Sequence, residues 1–166
     1  RGGMGVVYQA RQVSLDRIVA LKVLPSQLAS DTEYVARFNK EARAAAKLNH
    51  ANVIQIYDFG HDGQIYYLVM EFIKGRSVAD YLKEFGRFAE ADAISIVRQT
   101  CAALSYAHHA GIVHRDIKPD NLMLTDEGEI KLGDLGLAKV TSSEEMSMTQ
   151  TGAAVGTPYY ISPEQV

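Results

Sequence analysis

The hydrophobic pattern of this 166-residue chain shifts near GRS (75–77): the residues before it read as mostly strands with one helix, and after it the pattern turns helical. In the first part, VVYQAR (6–11) and RIVALKVL (17–24) are rich in β-branched residues and separated by SLD, so they form two strands around a turn. Ser30 followed by Glu33 offers a capping box, after which Phe38, Glu41, Ala45 and Leu48 share one helical face. Glu41 is thus an acid on an apolar stripe. VIQIYDFG and QIYYLVMEF flank the turn signal HDG and predict a hairpin.

In the second part, the spacing predicts a helix from about Ala89 to Ala110, with Ile94, Val97, Cys101 and Leu104 on its core face and Gly111 as its left-handed C-cap. NLMLTDEGEIKLGD (121–134) then gives strand, turn and strand, and the polar stretch from Val140 to Thr157 reads as a loop. Hydrophobic residues at 47% and charged residues at 22% are ordinary for a globular chain, so a core is expected. The net charge of -3, with no cluster of lysines and arginines, argues against general nucleic-acid binding. A polyanionic ligand therefore has to be held locally. The single Cys101 excludes an internal disulfide framework and suits a reducing, cytoplasmic compartment. No apolar run is long enough to cross a bilayer; a membrane tether elsewhere in a longer protein is not visible. Opening at Arg1 and stopping at Val166 without a helix-closing signal, the chain reads as a piece, incomplete at both ends.

The densest chemistry is HRDIKPDN (114–121), which follows directly on the predicted helix. An aspartate beside a lysine can accept a hydroxyl proton while the lysine neutralises a transferring phosphoryl group. An asparagine five residues after the aspartate supplies a neutral oxygen to a metal. Three further segments are ambiguous alone. GGMGVV (2–7) suits a flap whose backbone N–H groups approach a phosphate, but such a segment is more often just a turn. Lys22 in VALK, among apolar strand neighbours, needs a counter-charge that Glu41 can supply, unless strand alternation turns it toward water. DLG (134–136) places a carboxylate at a strand end, as a metal site would, and is also a common turn. His108 and His109, near His114, lack a cysteine or a spaced acidic partner for zinc.

Taken in order, RGGMGVV, VALK, HRDIKPDN, DLG and SPE (162–164) resemble the signature of the protein kinases, and the resemblance covers the whole chain. It implies a two-lobed α+β protein kinase fold: a β-rich N-lobe over 1–73 lacking its first strand, and the first part of a mainly helical C-lobe over 74–166. It also implies ATP and Mg²⁺ as the nucleotide and metal, and serine or threonine hydroxyls of proteins as acceptors. Gly2, Gly3 and Gly5 would form the phosphate flap; Val7, Ala20 and Met123 would sandwich adenine. Met70 would stand at the gate before a hinge at Glu71–Ile73. Lys22, partnered by Glu41, would hold phosphates. Asp116 would be the catalytic base, Lys118 its phosphate-neutralising neighbour, and Asn121 with Asp134 the metal ligands. Thr157 in GTPYYISPE would fix the catalytic aspartate, and with Lys118 it matches the serine/threonine branch, most like the eukaryotic-like kinases of bacteria. Thr149 and Thr151 are the expected phosphorylation sites, gripped by Arg115 and Lys139, with a second kinase copy as the partner for trans-autophosphorylation. DLG for DFG and SPE for APE are the departures. The rival readings are a nucleotide-binding pseudokinase scaffold and a small-molecule phosphotransferase of related fold.

Overall fold

The structure, a computed structural model, describes residues 5–24, 31–135 and 160, apart from the Arg37 side chain. Its N-terminal half is a four-stranded antiparallel sheet in the order β1-β2-β4-β3, built from β1 (Val6–Gln12), β2 (Arg17–Val23), β3 (Ile56–Asp62) and β4 (Ile65–Glu71). The turn between β1 and β2 is a single 3₁₀ turn, Val13–Leu15, closed by Asp16 in the left-handed region. One helix, α1 (Thr32–Ala45), belongs to this half. Register decides what the sheet presents to the interior. Val7 lies opposite Lys22, Gln9 opposite Ala20, and Ala20 opposite Met70. Cross-strand partners share a face, so these five side chains project from the same side of the sheet.

Helix α1 is capped by Asp31, whose Oδ1 accepts from the backbone N–H groups of Glu33 at 2.9 Å and Tyr34 at 3.0 Å. This corrects the expected Ser30 cap; Ser30 lies outside the described residues, and the Asp31 carboxylate, directly before the helix, accepts from two of its unsatisfied donors. The expected apolar face is present. Tyr34, Phe38, Ala42, Ala45 and Leu48 are all buried.

The C-terminal half contains β5 (Gly75–Ser77), α2 (Val78–Phe85), α3 (Glu90–His109), β6 (Leu122–Thr125) and β7 (Ile130–Leu132). GRS is thus more than a boundary: it is an edge strand antiparallel to β6 in the sheet β5-β6-β7, and its Ser77 Oγ caps α2 by accepting from Asp80 N at 3.0 Å. Helix α3 ends as expected at Gly111, whose φ of 75° is the left-handed cap conformation. Its buried line, however, is Ile96, Thr100, Ala103 and Ala107. Ile94 and Val97 are each 60% exposed and Cys101 is exposed, which overturns the expected core stripe, with only Leu104 partly buried. The reason is size. The face turned to β7 carries Ala103 and Ala107, both at 0% exposure, and such small side chains let the helix approach the fully buried Ile130 and Leu132. The one polar member, Thr100, returns its hydroxyl to Ile96 O at 2.8 Å.

One apolar core runs through both halves. They are stitched by residues 52–55, between α1 and β3. Leu132 N donates to Asn52 O at 2.8 Å and Ile54 N to Leu132 O at 2.9 Å, so this linker lies beside β7 like an extra strand. The Asn52 amide donates to Ile130 O at 2.8 Å and to Gln99 Oε1 at 3.0 Å, while Gln99 Oε1 also accepts from Ile130 N at 2.9 Å. In the intact protein, Asn52→Ala is expected to cost about 1–3 kcal/mol, because it strips partners from half-buried polar groups. Urea unfolding with an unchanged m-value and a lower midpoint is the outcome that checks it.

Candidate active site

A cavity of about 380 Å³ opens between the two halves. The sheet contributes Val7, Ala20, Lys22 and Met70 from the shared face identified by register. Glu71 and Ile73 line it where β4 leaves the sheet. Asn121 and Met123 enter from the opposite wall, on the turn into β6, and Asp134 follows β7. Nine residues separated by up to 127 positions in the sequence thus face one space. The sequence reading missed Tyr8, Gln9, Ile54, Phe72, Asp120 and Gly133, which also line it. Asp120 sits inside the octet already singled out and Phe72 inside the expected hinge, so proximity to those motifs was the signal available.

Lys22 is 6% exposed, which closes the alternative in which it turns to water. Its ammonium pairs with Asp134 Oδ1 at 2.6 Å. Among the described residues that is its ion pair, in place of the expected one with Glu41. Both Glu41 and Tyr34 are on α1 seven residues apart, two turns along one face. Burial, and secondarily the Glu41 carboxylate, push the Tyr34 phenol above its usual range. Asp134 reaches Lys22 instead because β7 delivers it directly beneath β2.

The charged octet is wired internally. The Asn121 side-chain N–H₂ donates to Asp116 O at 2.7 Å and to Asp116 Oδ2 at 3.0 Å, and Lys118 Nζ lies 2.9 Å from the same Oδ2. The Asn121 side-chain nitrogen is thus directed wholly at Asp116. The Asn121 backbone O accepts from Gly133 N at 2.9 Å, which ties the octet to the residue before Asp134. Pro119 opens the 3₁₀ turn 119–121 that sets this spacing.

His114, at 1% exposure, is the brace beneath the octet. Its Nε2 donates to Gly133 O at 2.8 Å and its Nδ1 accepts from Asp116 N at 3.3 Å, the pattern of a neutral ring. Arg115 and Asp134, on either side of this brace, hold positive φ angles of 67° and 54°. A non-glycine residue pays about 1–3 kcal/mol for such a backbone, and that cost is met only where the surroundings over-determine it. Gly5 (φ 109°) needs its glycine for a different reason: a Cβ there would lie 2.1 Å from Val23 O. It is described but does not line the cavity.

Asn121 and Asp134 offer a neutral carbonyl and a carboxylate, hard oxygen donors of the kind Mg²⁺ takes. Among the described residues no group of three or more His, Cys, Asp or Glu side chains forms a metal cage, and a site with two protein donors suits a cation that completes its shell with phosphates and water. The residues therefore fit the metal. Gly2, Gly3, Lys139, Thr149, Thr151 and Thr157 lie outside the described residues.

The protein kinase domain family matches residues 1–166. A probable serine/threonine-protein kinase of Clostridium acetobutylicum is 45% identical over 164 residues, 99% of this chain and 25% of that protein. PrkC of Bacillus subtilis is 42% identical over 164 residues, with the same coverage of 99% and 25%. PknL of Mycobacterium tuberculosis is 43% identical over 165 residues, 99% of this chain and 41% of its own length. The chain thus spans between a quarter and about two fifths of these relatives. Among solved structures, the Mycobacterium tuberculosis PknI kinase domain (C20A mutant) aligns with a TM-score of 0.76 and 31% identity, covering 84% of this chain and 57% of that one.

Burial holds the His114 pKa below the usual 6.5, against the opposing pull of Gly133 O, Asp116 and Asp134. Below pH 6.5 the unfolded chain therefore binds a proton that the folded one resists, so the stability contributed by His114 is complete above that value and is lost as pH falls below it. Chemical denaturation of the intact protein between pH 7 and 5 should show this decline, and His114→Gln should flatten it while lowering stability throughout.

Proposed function

The chain belongs to the protein kinase family, and on that premise we propose that the protein transfers the γ-phosphoryl group of ATP to serine or threonine hydroxyls of proteins. The observation that carries the reading is the Asp116–Asn121–Gly133 wiring, which joins a carboxylate, a metal-donor amide and the strand end bearing Asp134 beside a cavity that Lys22 also enters. Val7 and Ala20 from the sheet and Met123 from below form apolar walls on which a purine can lie, with the backbone at Glu71–Ile73 at its edge. Phosphates would lie at the Lys22 end. There the Lys22–Asp134 pair has the composition of the loaded site in miniature, a cation beside the carboxylate and an anion beside the ammonium. Asn121 and Asp134 would hold Mg²⁺, which when bound offsets phosphate charge.

Asp116 accepts the proton of the incoming hydroxyl, and Lys118, 2.9 Å from it, offsets the negative charge of the transferring group. His114 holds the Asp116 backbone in place through its accepted N–H. Serine or threonine specificity is supported by Lys118 in HRDIKPDN and Thr157 in GTPYYISPE, and by the printed names of the relatives. A reducing cytoplasmic location, protein acceptors and a second copy as phosphorylation partner at Thr149 or Thr151 complete the proposal. A pseudokinase scaffold is disfavoured by the presence of Lys22, Asp116, Asn121 and Asp134 together.

Labelled ATP with a generic protein acceptor tests the reading on the full-length protein. Asp116→Ala is expected to lower turnover by about 10²–10⁴-fold with nucleotide binding retained. Unchanged turnover removes Asp116 from the reaction, and label appearing only on small alcohols removes the protein substrate.

A further inference from the structure

A second ion pair crosses between the halves at the other end of the cavity. Lys131 Nζ, in the middle of β7, lies 2.8 Å from Glu71 Oε1, at the end of β4. The second Glu71 oxygen, Oε2, accepts from Gln55 N at 3.2 Å, and Glu71 N donates to Gln55 O at 2.8 Å. Glu71 thereby holds three things together: the sheet's exit, the linker 52–55 and β7. Lys131 alternates with Ile130 and Leu132, which are fully buried, so the strand's period turns Lys131 to the opposite face, where Glu71 stands.

The side chains are largely withdrawn from water, at 16% and 25% exposure. Replacing such a pair by apolar residues of similar volume is often neutral or stabilising, so stability alone is a weak reason for two charges here. Position is a better one. Glu71 opens the hinge 71–73, and Lys131 lies three residues before Asp134 on the same stretch of chain. The halves are thus clasped by ion pairs at both ends of the cavity, Lys22–Asp134 at one and Glu71–Lys131 at the other. A phosphate competes for the first pair. Nothing in the purine end of the cavity demands that the second one break.

We propose that Glu71–Lys131 is an interlobe latch, in which Lys131 is a positioning residue that limits opening of the cleft and so slows departure of the bound nucleotide. The inference rests on the nucleotide-binding reading above. With Lys131 unable to hold the carboxylate, Glu71 keeps its backbone bond to Gln55 but the hinge loses its tie to β7, and opening becomes easier. Charge, more than bulk, is what the latch needs, so Lys131→Arg retains it and Lys131→Met does not.

The test uses the full-length protein with thermal unfolding recorded for every variant, Lys131→Gln replacing the methionine variant if that one does not fold. Amide hydrogen exchange in the nucleotide-free protein is expected to quicken about tenfold at residues 54–55 and 71–73 in Lys131→Met, with α3 unchanged. Dissociation of a fluorescent ADP in the presence of Mg²⁺ is expected to quicken by about fivefold or more in the same variant, and Lys131→Arg should restore both to near the parent values. Parent-like exchange at the hinge, or an arginine variant no better than methionine, overturns the latch. A parent protein that binds no ADP instead refutes the nucleotide reading, and the exchange measurement still decides whether Lys131 restrains the hinge.

Discussion

The buried pair between Lys22 and Asp134 is the contact on which the arrangement of the site turns. An ammonium at 6% exposure near the end of β2 is untenable without a counter-charge. The carboxylate that meets it comes from 112 residues further along the chain, so satisfying Lys22 requires β7 to end beneath β2. That requirement reaches upstream as well, because Gly133 is bonded both to Asn121 and to His114. The position of one lysine thus constrains the strand that follows the octet, the octet itself and the histidine below it. The positive φ at Asp134 belongs to the same constraint: the chain must leave β7 and immediately aim a side chain upward.

Much of this was legible in the sequence, for a physical reason. Strand alternation fixes which residues share a face, and the β1–β2 hairpin makes its strands neighbours, so Val7, Ala20 and Lys22 were bound to share one face; the non-local pairing of β2 with β4, which adds Met70, is not set by any hairpin. The octet was legible because so many charges in eight positions exceed what a solvated turn needs. Less legible was any choice between two faces of similar apolarity. Helix α3 has one line of Ile94, Val97 and Cys101 and another of Ile96, Thr100, Ala103 and Ala107, and hydrophobicity favours the first. Close approach to β7 favours the second, a matter of volume to which a hydrophobic period is blind.

Partner choice for a charged group was the other blind spot. Glu41 was a reasonable partner for Lys22, being an acid on an inward-facing stripe, yet the carboxylate that meets the ammonium is Asp134, remote in sequence at the end of a strand. The same holds for Glu71, whose place in the hinge was anticipated but whose hold on Gln55 and Lys131 was not. Lys131 looked like the polar member of an alternating strand, IKL, which is also what it is. Alternation assigns it a face; only the packing of the linker 52–55 against β7 puts a carboxylate opposite.

The site combines groups braced by hydrogen bonds to buried neutral side chains with pairs held by charge, Lys22–Asp134 and Lys118–Asp116. His114, uncharged and buried, holds Asp116 and Gly133 through bonds that no anionic ligand would disturb. The Asn121 amide is oriented by its bonds to Asp116. Lys22 and Asp134, in contrast, are held by each other through a charged hydrogen bond at 2.6 Å, a contact that a better-placed ion can replace. On the proposed function, a cleft that accepts and releases a polyanion would use both kinds of support: the carboxylate proposed to react stays in place whether or not ligand is bound, whereas the groups that would meet the ligand's charge keep provisional partners when it is gone.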